Sequence, residues 1–119
     1  MKKNRAFLKW AGGKYPLLDD IKKHLPKGEC LIEPFMGAGS VFLNTDFSRY
    51  ILADINNDLI SLYNIVKLRT EEYVAEARKL FTPENNHPDV YYQFRTEFNQ
   101  SQDPFRRALL FLYLNRHGY

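Results

Sequence analysis

The segment Glu33-Pro34-Phe35-Met36-Gly37-Ala38-Gly39-Ser40 decides the fold of this chain because of what flanks it. A short apolar segment, Cys30–Ile32, precedes it, and a second one, Tyr50–Ala53, is followed by Asp54. This order of strand, glycine turn, helix, strand and carboxylate is typical of the cofactor half of a nucleotide-binding α/β unit. The glycines let the backbone approach a ligand closely, and Asp54 can accept hydrogen bonds from a ribose. The pattern therefore predicts an α/β, Rossmann-like fold.

The glycine turn differs from the dinucleotide fingerprint in one position. Three residues after Gly39 the fingerprint has a third glycine, whereas this chain has Phe42. Without that glycine the helix cannot pack so close to the strand, which makes a pyrophosphate ligand a poorer match. A cofactor that carries an adenosine and an amino acid fits better than a nicotinamide dinucleotide, although a fragment of a nicotinamide-dependent oxidoreductase stays an alternative.

Composition and charge narrow the class of protein. The 119 residues suffice for one ordinary domain, and 45% of them are hydrophobic, as in a globular chain. No apolar run approaches the ~20 residues of a membrane span, and one cysteine, Cys30, predicts a reducing, cytoplasmic setting. The net charge of the whole chain is +3, but residues 1–28 alone hold eight Lys/Arg against two Asp. This basic segment favours either an anionic partner or, equally, a lysine-rich face exposed to solvent.

Helical periodicity dominates the second half of the chain. We predict an α/β segment over residues 1–69 and a helical segment over residues 70–119, separated by the start signal Thr70-Glu71-Glu72. Within the second segment, residues 82–89 form a surface loop, and Asp103-Pro104 is an N-cap followed by proline at the first helical position.

Several residues outside the glycine turn carry chemistry that could serve a site. Trp10 is either a core residue or a wall for an adenine or a sulfonium group, since cations are attracted to aromatic faces. Lys14 could pair with a ligand carboxylate or be a solvated loop lysine. Asp54 could also cap the helix that follows it. Arg95 and Arg116 could contact phosphates.

Two neighbouring arginines, Arg106 and Arg107, could also contact phosphates, and salt bridges to Asp103 or Glu97 are an equally good account of this group of arginines. The three histidines show no ligand spacing, so no metal site is predicted.

Three ordered motifs together resemble the Dam-type DNA adenine methyltransferases. They are Phe7-Leu8-Lys9-Trp10-Ala11-Gly12-Gly13-Lys14, the glycine turn from Glu33 to Ser40, and Asp54-Ile55-Asn56. Nearly the whole chain resembles the N-terminal part of such an enzyme, through Leu114-Asn115-Arg116-x-Gly118-Tyr119. The resemblance implies S-adenosylmethionine as cofactor and methylation of adenine N6 in double-stranded DNA, typically within GATC, after the base is flipped out.

The resemblance also implies roles for individual residues. The implied cofactor contacts are Trp10, Lys14, Phe35, Gly37, Gly39 and Asp54, with Asp54 on the ribose hydroxyls. Lys9 is a candidate for DNA contact, and Tyr119 begins the segment that in this family reads the DNA sequence and fills the gap left by the flipped base.

One family motif is missing from the chain. The catalytic motif of the family is Asp-Pro-Pro-Tyr, and this chain has no two adjacent prolines. That motif orients the exocyclic amine of adenine and stacks on the extruded base. We therefore assign no catalytic residue and expect the 119 residues alone, as an N-terminal portion, to be inactive. The alternative is a non-catalytic module that binds S-adenosylmethionine or DNA, and the oligomeric state stays open.

Overall fold

Two parallel strands, β1 (Cys30–Glu33) and β2 (Arg49–Leu52), form the sheet that the sequence pattern predicts. The computed structural model describes residues 3–118. The chain divides into two units, one ending at Asn56 and the other beginning at Asn57. Among the described residues, no helix has both the length and the apolar character needed to cross a membrane. The architecture is α/β, with helices in the majority.

A proline and a few aliphatic side chains order the first unit. Pro16 lies in a single 3-10 turn, Tyr15–Leu17, from which the chain continues directly as helix α1 (Leu18–His24). The glycine turn leads into one helical turn, α2 (Ser40–Leu43), as the sequence predicts. The buried core of this unit consists of Leu18, Leu31 and Val41. These side chains fix the helices against one face of the sheet.

The two faces of the sheet differ in their surroundings. Leu31 and Glu33 of β1 are buried, whereas Ile32 between them is 63% exposed. In the parallel register Ile32 lies opposite Ile51 of β2, which is 55% exposed. Parallel sheets are normally covered on both faces. Within the described residues of the first unit, the two isoleucines therefore form a bare apolar patch.

The second unit is a set of helices arranged around the last one. Its helices are α3 (Asn57–Leu68), α4 (Thr70–Leu80), α5 (Pro88–Gln100) and α6 (Pro104–His117). Helix α6 packs against the other three. Asp103 caps it as predicted, because its carboxylate accepts a hydrogen bond from the Arg106 N–H at 3.3 Å. The Tyr73 hydroxyl of α4 donates to the Ala108 carbonyl at 2.9 Å, and both residues are buried.

Two boundaries differ from the sequence-based expectation. Helix α3 belongs to the second unit, because its apolar side is buried against α6 and α4, so the structural division falls after Asn56. The loop predicted over residues 82–89 contains a 3-10 turn, Pro83–Asn85, and ends where α5 begins at Pro88. Residues 7–10 have no regular secondary structure.

Candidate functional site

A tight turn brings the lone tryptophan to the glycine turn. The Gly13 N–H donates to the Trp10 carbonyl at 3.2 Å, and Gly12 between them has φ +71°, a left-handed conformation that favours glycine. The indole of Trp10 lies so close to Gly37 that a Cβ there would be 3.0 Å from its Cδ1 atom. Trp10 is only partly buried and lines an open cavity, so it does not belong to the buried core.

Asp54 links the second strand to the glycine turn. One carboxylate oxygen, Oδ2, accepts a hydrogen bond from the Gly37 N–H at 3.0 Å, and the other, Oδ1, accepts from the Asn56 N–H at 3.0 Å. Gly37 has φ +54°, which brings its N–H to this carboxylate without the strain that a side chain would add. The carboxylate thus serves two backbone donors, and its remaining lone pairs can still accept from a ligand.

Lys14 and Glu33 form an ion pair at the end of β1. The Lys14 ammonium donates a hydrogen bond to the Phe35 carbonyl and lies 3.5 Å from Glu33 Oε2. The Glu33 side chain is only 10% exposed, and its polar neighbours are the Lys14 ammonium and the backbone N–H of Phe42 in α2. Burial raises the pKa of the Glu33 carboxyl above its ordinary value of 4.5, and the charge of Lys14 offsets part of that rise.

These side chains surround one small open cavity of about 230 Å³. Of the six predicted cofactor residues, five line it: Trp10, Lys14, Phe35, Gly37 and Asp54. Gly39 does not line the cavity; its N–H closes the turn by donating to the Met36 carbonyl at 3.0 Å, and its φ of +87° starts α2. Within residues 3–118, no three side chains of His, Cys, Asp or Glu gather in a way that could hold a metal ion.

The predicted DNA-contacting residues are distributed over both units. Lys9 is exposed in the first unit, next to Trp10 in the sequence. Arg95 and Arg116 are exposed in the second unit, and Arg95 lines a separate cavity of about 560 Å³ together with Tyr91, Tyr92 and other residues of α5 and α6. Tyr119 lies outside the described residues.

The other two arginines of α6 are used in packing. Arg106 donates to both carboxylate oxygens of Glu97, at 2.5 Å and 2.9 Å, so the salt bridge expected as the alternative to phosphate contact is present. Arg107 pairs with Asp58 at 3.1 Å rather than with Asp103 or Glu97, and its guanidinium lies 4.0 Å from the centre of the Phe98 ring. Both guanidinium groups therefore stabilise the helical unit.

Glu33 is the site residue that the sequence reasoning missed. The turn motif begins with this residue, but the motif alone predicts no role for its charge. Its position carried a usable signal, since an ionised side chain at the end of a buried strand requires a partner. Lys14, already a candidate, is the basic residue that the fold places there.

Comparison with known proteins identifies the family. A family model for the D12 class N6 adenine-specific DNA methyltransferases matches residues 10–119, and the chain belongs to that family. Over its whole length the chain is 85% identical to the DNA adenine methylase of Escherichia coli K12, 83% to that of Salmonella typhi and 60% to that of Vibrio cholerae O395. In each case the 119 residues cover 43% of the relative, so the chain spans less than half the length of these proteins.

Proposed function

We propose that this chain is the S-adenosylmethionine-binding portion of a DNA adenine-N6 methyltransferase with a Rossmann-like fold. One observation supports the proposal most strongly: five residues that the resemblance assigns to the cofactor, drawn from positions 10–54, surround the same cavity. The names of the relatives and the family match point to the same activity. The substrate would be double-stranded DNA, most simply at GATC, in the cytoplasm of a bacterium.

The chemistry of the cavity suits a zwitterionic, cationic cofactor. The Trp10 indole offers an aromatic face for a sulfonium or an adenine, Lys14 a cation for the carboxylate of the amino acid, and Asp54 acceptors for ribose hydroxyls. The cavity of about 230 Å³ is smaller than the ~300–1,000 Å³ of typical small-molecule pockets, so the described residues would enclose part of the cofactor. When bound, S-adenosylmethionine supplies an activated methyl group.

The protein groups would position rather than react. Asp54 already orients the Gly37 N–H through its 3.0 Å hydrogen bond, so the turn holds its shape before the ligand arrives. Lys9, Arg95, Arg116 and Tyr119 are proposed to contact DNA, the arginines through phosphates. The sequence lacks Asp-Pro-Pro-Tyr, so the 119 residues alone would bind the cofactor without methylating adenine.

Isothermal titration calorimetry with S-adenosylmethionine tests the cofactor assignment directly. The 119-residue chain is expected to bind it and to ignore NAD. The substitutions Lys14→Met and Asp54→Ala should weaken binding at least tenfold, since each removes a charged hydrogen-bonding group. Matched controls are Lys27→Met and Asp46→Ala, which remove the same charges from exposed positions outside the cavity. A folded chain that gives no binding signal, or equal losses in the controls, would overturn the assignment.

The non-catalytic alternative is distinguished by methyl transfer. A tritiated methyl donor and a duplex containing GATC measure whether a protein that carries this sequence transfers the group. Transfer by a longer protein containing these residues and Asp-Pro-Pro-Tyr supports the enzyme, whereas cofactor retention without any transfer by that protein would favour a binding module.

A further inference from the structure

We infer that Glu33 is a positioning residue that holds the Lys14 ammonium in place for the ligand carboxylate. The inference deepens the proposed function and rests on it. The starting observation is a distance: Lys14 Nζ lies 3.5 Å from Glu33 Oε2, at the point where β1 meets the glycine turn.

The surroundings of Glu33 are costly for an ionised side chain, which argues against a purely structural role. Its side chain is 10% exposed, and burial outweighs the effect of its two polar neighbours, the Lys14 ammonium and the Phe42 backbone N–H, so its pKa stays above the ordinary value. Replacing a buried ionic group with an apolar one is often neutral or stabilising. The neighbouring core of Leu18, Leu31 and Val41 is apolar and would accept such a residue. A carboxylate at this position is therefore better explained by its effect on Lys14 than by packing.

The geometry shows what Glu33 does to Lys14. A lysine side chain in a loop has a flexible four-carbon stem and three N–H donors. Here the ammonium donates to the Phe35 carbonyl and faces the Glu33 carboxylate, so two acceptors near the end of one strand restrain it. One N–H remains available for a ligand oxygen. Lys14 lines the cavity, whereas Glu33 stands behind it, which makes Glu33 a residue that acts through another.

Restraint before binding has a measurable effect. Immobilising one long side chain in advance is expected to improve affinity by about two- to tenfold. The substitution Glu33→Gln keeps the shape of the side chain and removes its charge, so it should weaken S-adenosylmethionine binding by about that factor. The control Asp46→Asn removes a negative charge from an exposed position outside the cavity and is expected to leave the affinity unchanged.

A double-mutant cycle in the 119-residue chain tests whether Glu33 acts through Lys14. Affinity for S-adenosylmethionine is measured by calorimetry for the wild type, Glu33→Gln, Lys14→Met and the double variant. If Glu33 works only by placing Lys14, the double variant binds as Lys14→Met does. Losses that multiply, or tighter binding by Glu33→Gln, overturn the inference and leave the proposed function standing. Absence of wild-type binding overturns both.

A measurement without ligand covers the case in which Glu33→Gln does not fold. The carboxyl carbon of Glu33 is titrated by NMR in the wild type and in Lys14→Met. Since the Lys14 charge lowers the pKa of Glu33, its removal should raise that pKa further. In the described residues Lys14 is the charged side chain that faces Glu33. An unchanged titration would show that the two groups do not interact, and the inference would fail.

Discussion

The contact between the Trp10 indole and Gly37 makes a quantitative prediction about two glycines. Both Gly12 and Gly37 have positive φ, +71° and +54°, so alanine at either position should cost about 1–2 kcal/mol of backbone strain. A Cβ on Gly12 meets no atom within 4 Å, whereas a Cβ on Gly37 lies 3.0 Å from Trp10 Cδ1. Carbon atoms prefer about 3.5–4.0 Å, so the indole must retreat by roughly 0.5 Å.

Gly12→Ala therefore serves as the matched control for Gly37→Ala. Overpacking of this kind costs about 1–3 kcal/mol, and an indole at a cleft wall can move, so we expect Gly37→Ala to lose about 1 kcal/mol more than Gly12→Ala. Urea unfolding followed by fluorescence measures both losses, because Trp10 is the only tryptophan. Gly37→Ala should also shift the native emission. Equal free energies of unfolding and an unshifted spectrum in the two variants would refute the proposed contact.

Three further predictions concern other parts of the chain. Burial raises the pKa of Glu33 above 4.5, so the folded state binds the proton of this carboxyl more tightly than the unfolded state does. The stability of the wild type should therefore fall relative to that of Glu33→Gln as the pH rises from 4.5 through the folded-state pKa. Thermal unfolding of both proteins from pH 4 to 8 measures this, and parallel curves of stability against pH would contradict it. The substitution Tyr73→Phe removes a buried hydrogen bond to a backbone carbonyl of α6 and should cost about 1 kcal/mol in urea unfolding followed by circular dichroism, whereas no loss would mean that the bond is not formed. Each of Arg95→Ala and Arg116→Ala should reduce, by about 0.9, the slope of the logarithm of the binding constant for duplex DNA against the logarithm of salt concentration. The control Arg78→Ala, at an exposed position on α4, should leave this slope unchanged. Equal slopes in all three variants would contradict the proposal that Arg95 and Arg116 contact phosphates.

Local sequence patterns predicted the sheet, and together with the family resemblance they pointed to residues that the fold brings together. The apolar segments around the glycine turn became β1 and β2, and five of six proposed cofactor residues surround one cavity. These features depend on short-range rules: short apolar segments for strands, glycine where φ is positive, and proline at helix starts. The chemistry of an aromatic face made Trp10 a candidate, and the family resemblance favoured a cofactor contact over a place in the core.

Features set by long-range packing could not be predicted in the same way. The assignment of α3 depends on which helix covers its apolar side, and periodicity does not identify the partner. The pairing of Arg107 with Asp58 joins residues 49 positions apart, which no local rule anticipates. The Lys14–Glu33 ion pair could not be predicted for a related reason: sequence spacing alone does not show that the turn around Lys14 lies next to the end of β1.

The candidate pocket draws all its lining residues from positions 10–54, inside the first unit. Two of the proposed phosphate-contacting arginines, Arg95 and Arg116, belong to the second unit. A gene exchange that joined related sequences at the Asn56–Asn57 junction would therefore replace Arg95 and Arg116 while leaving the residues around this cavity unaltered.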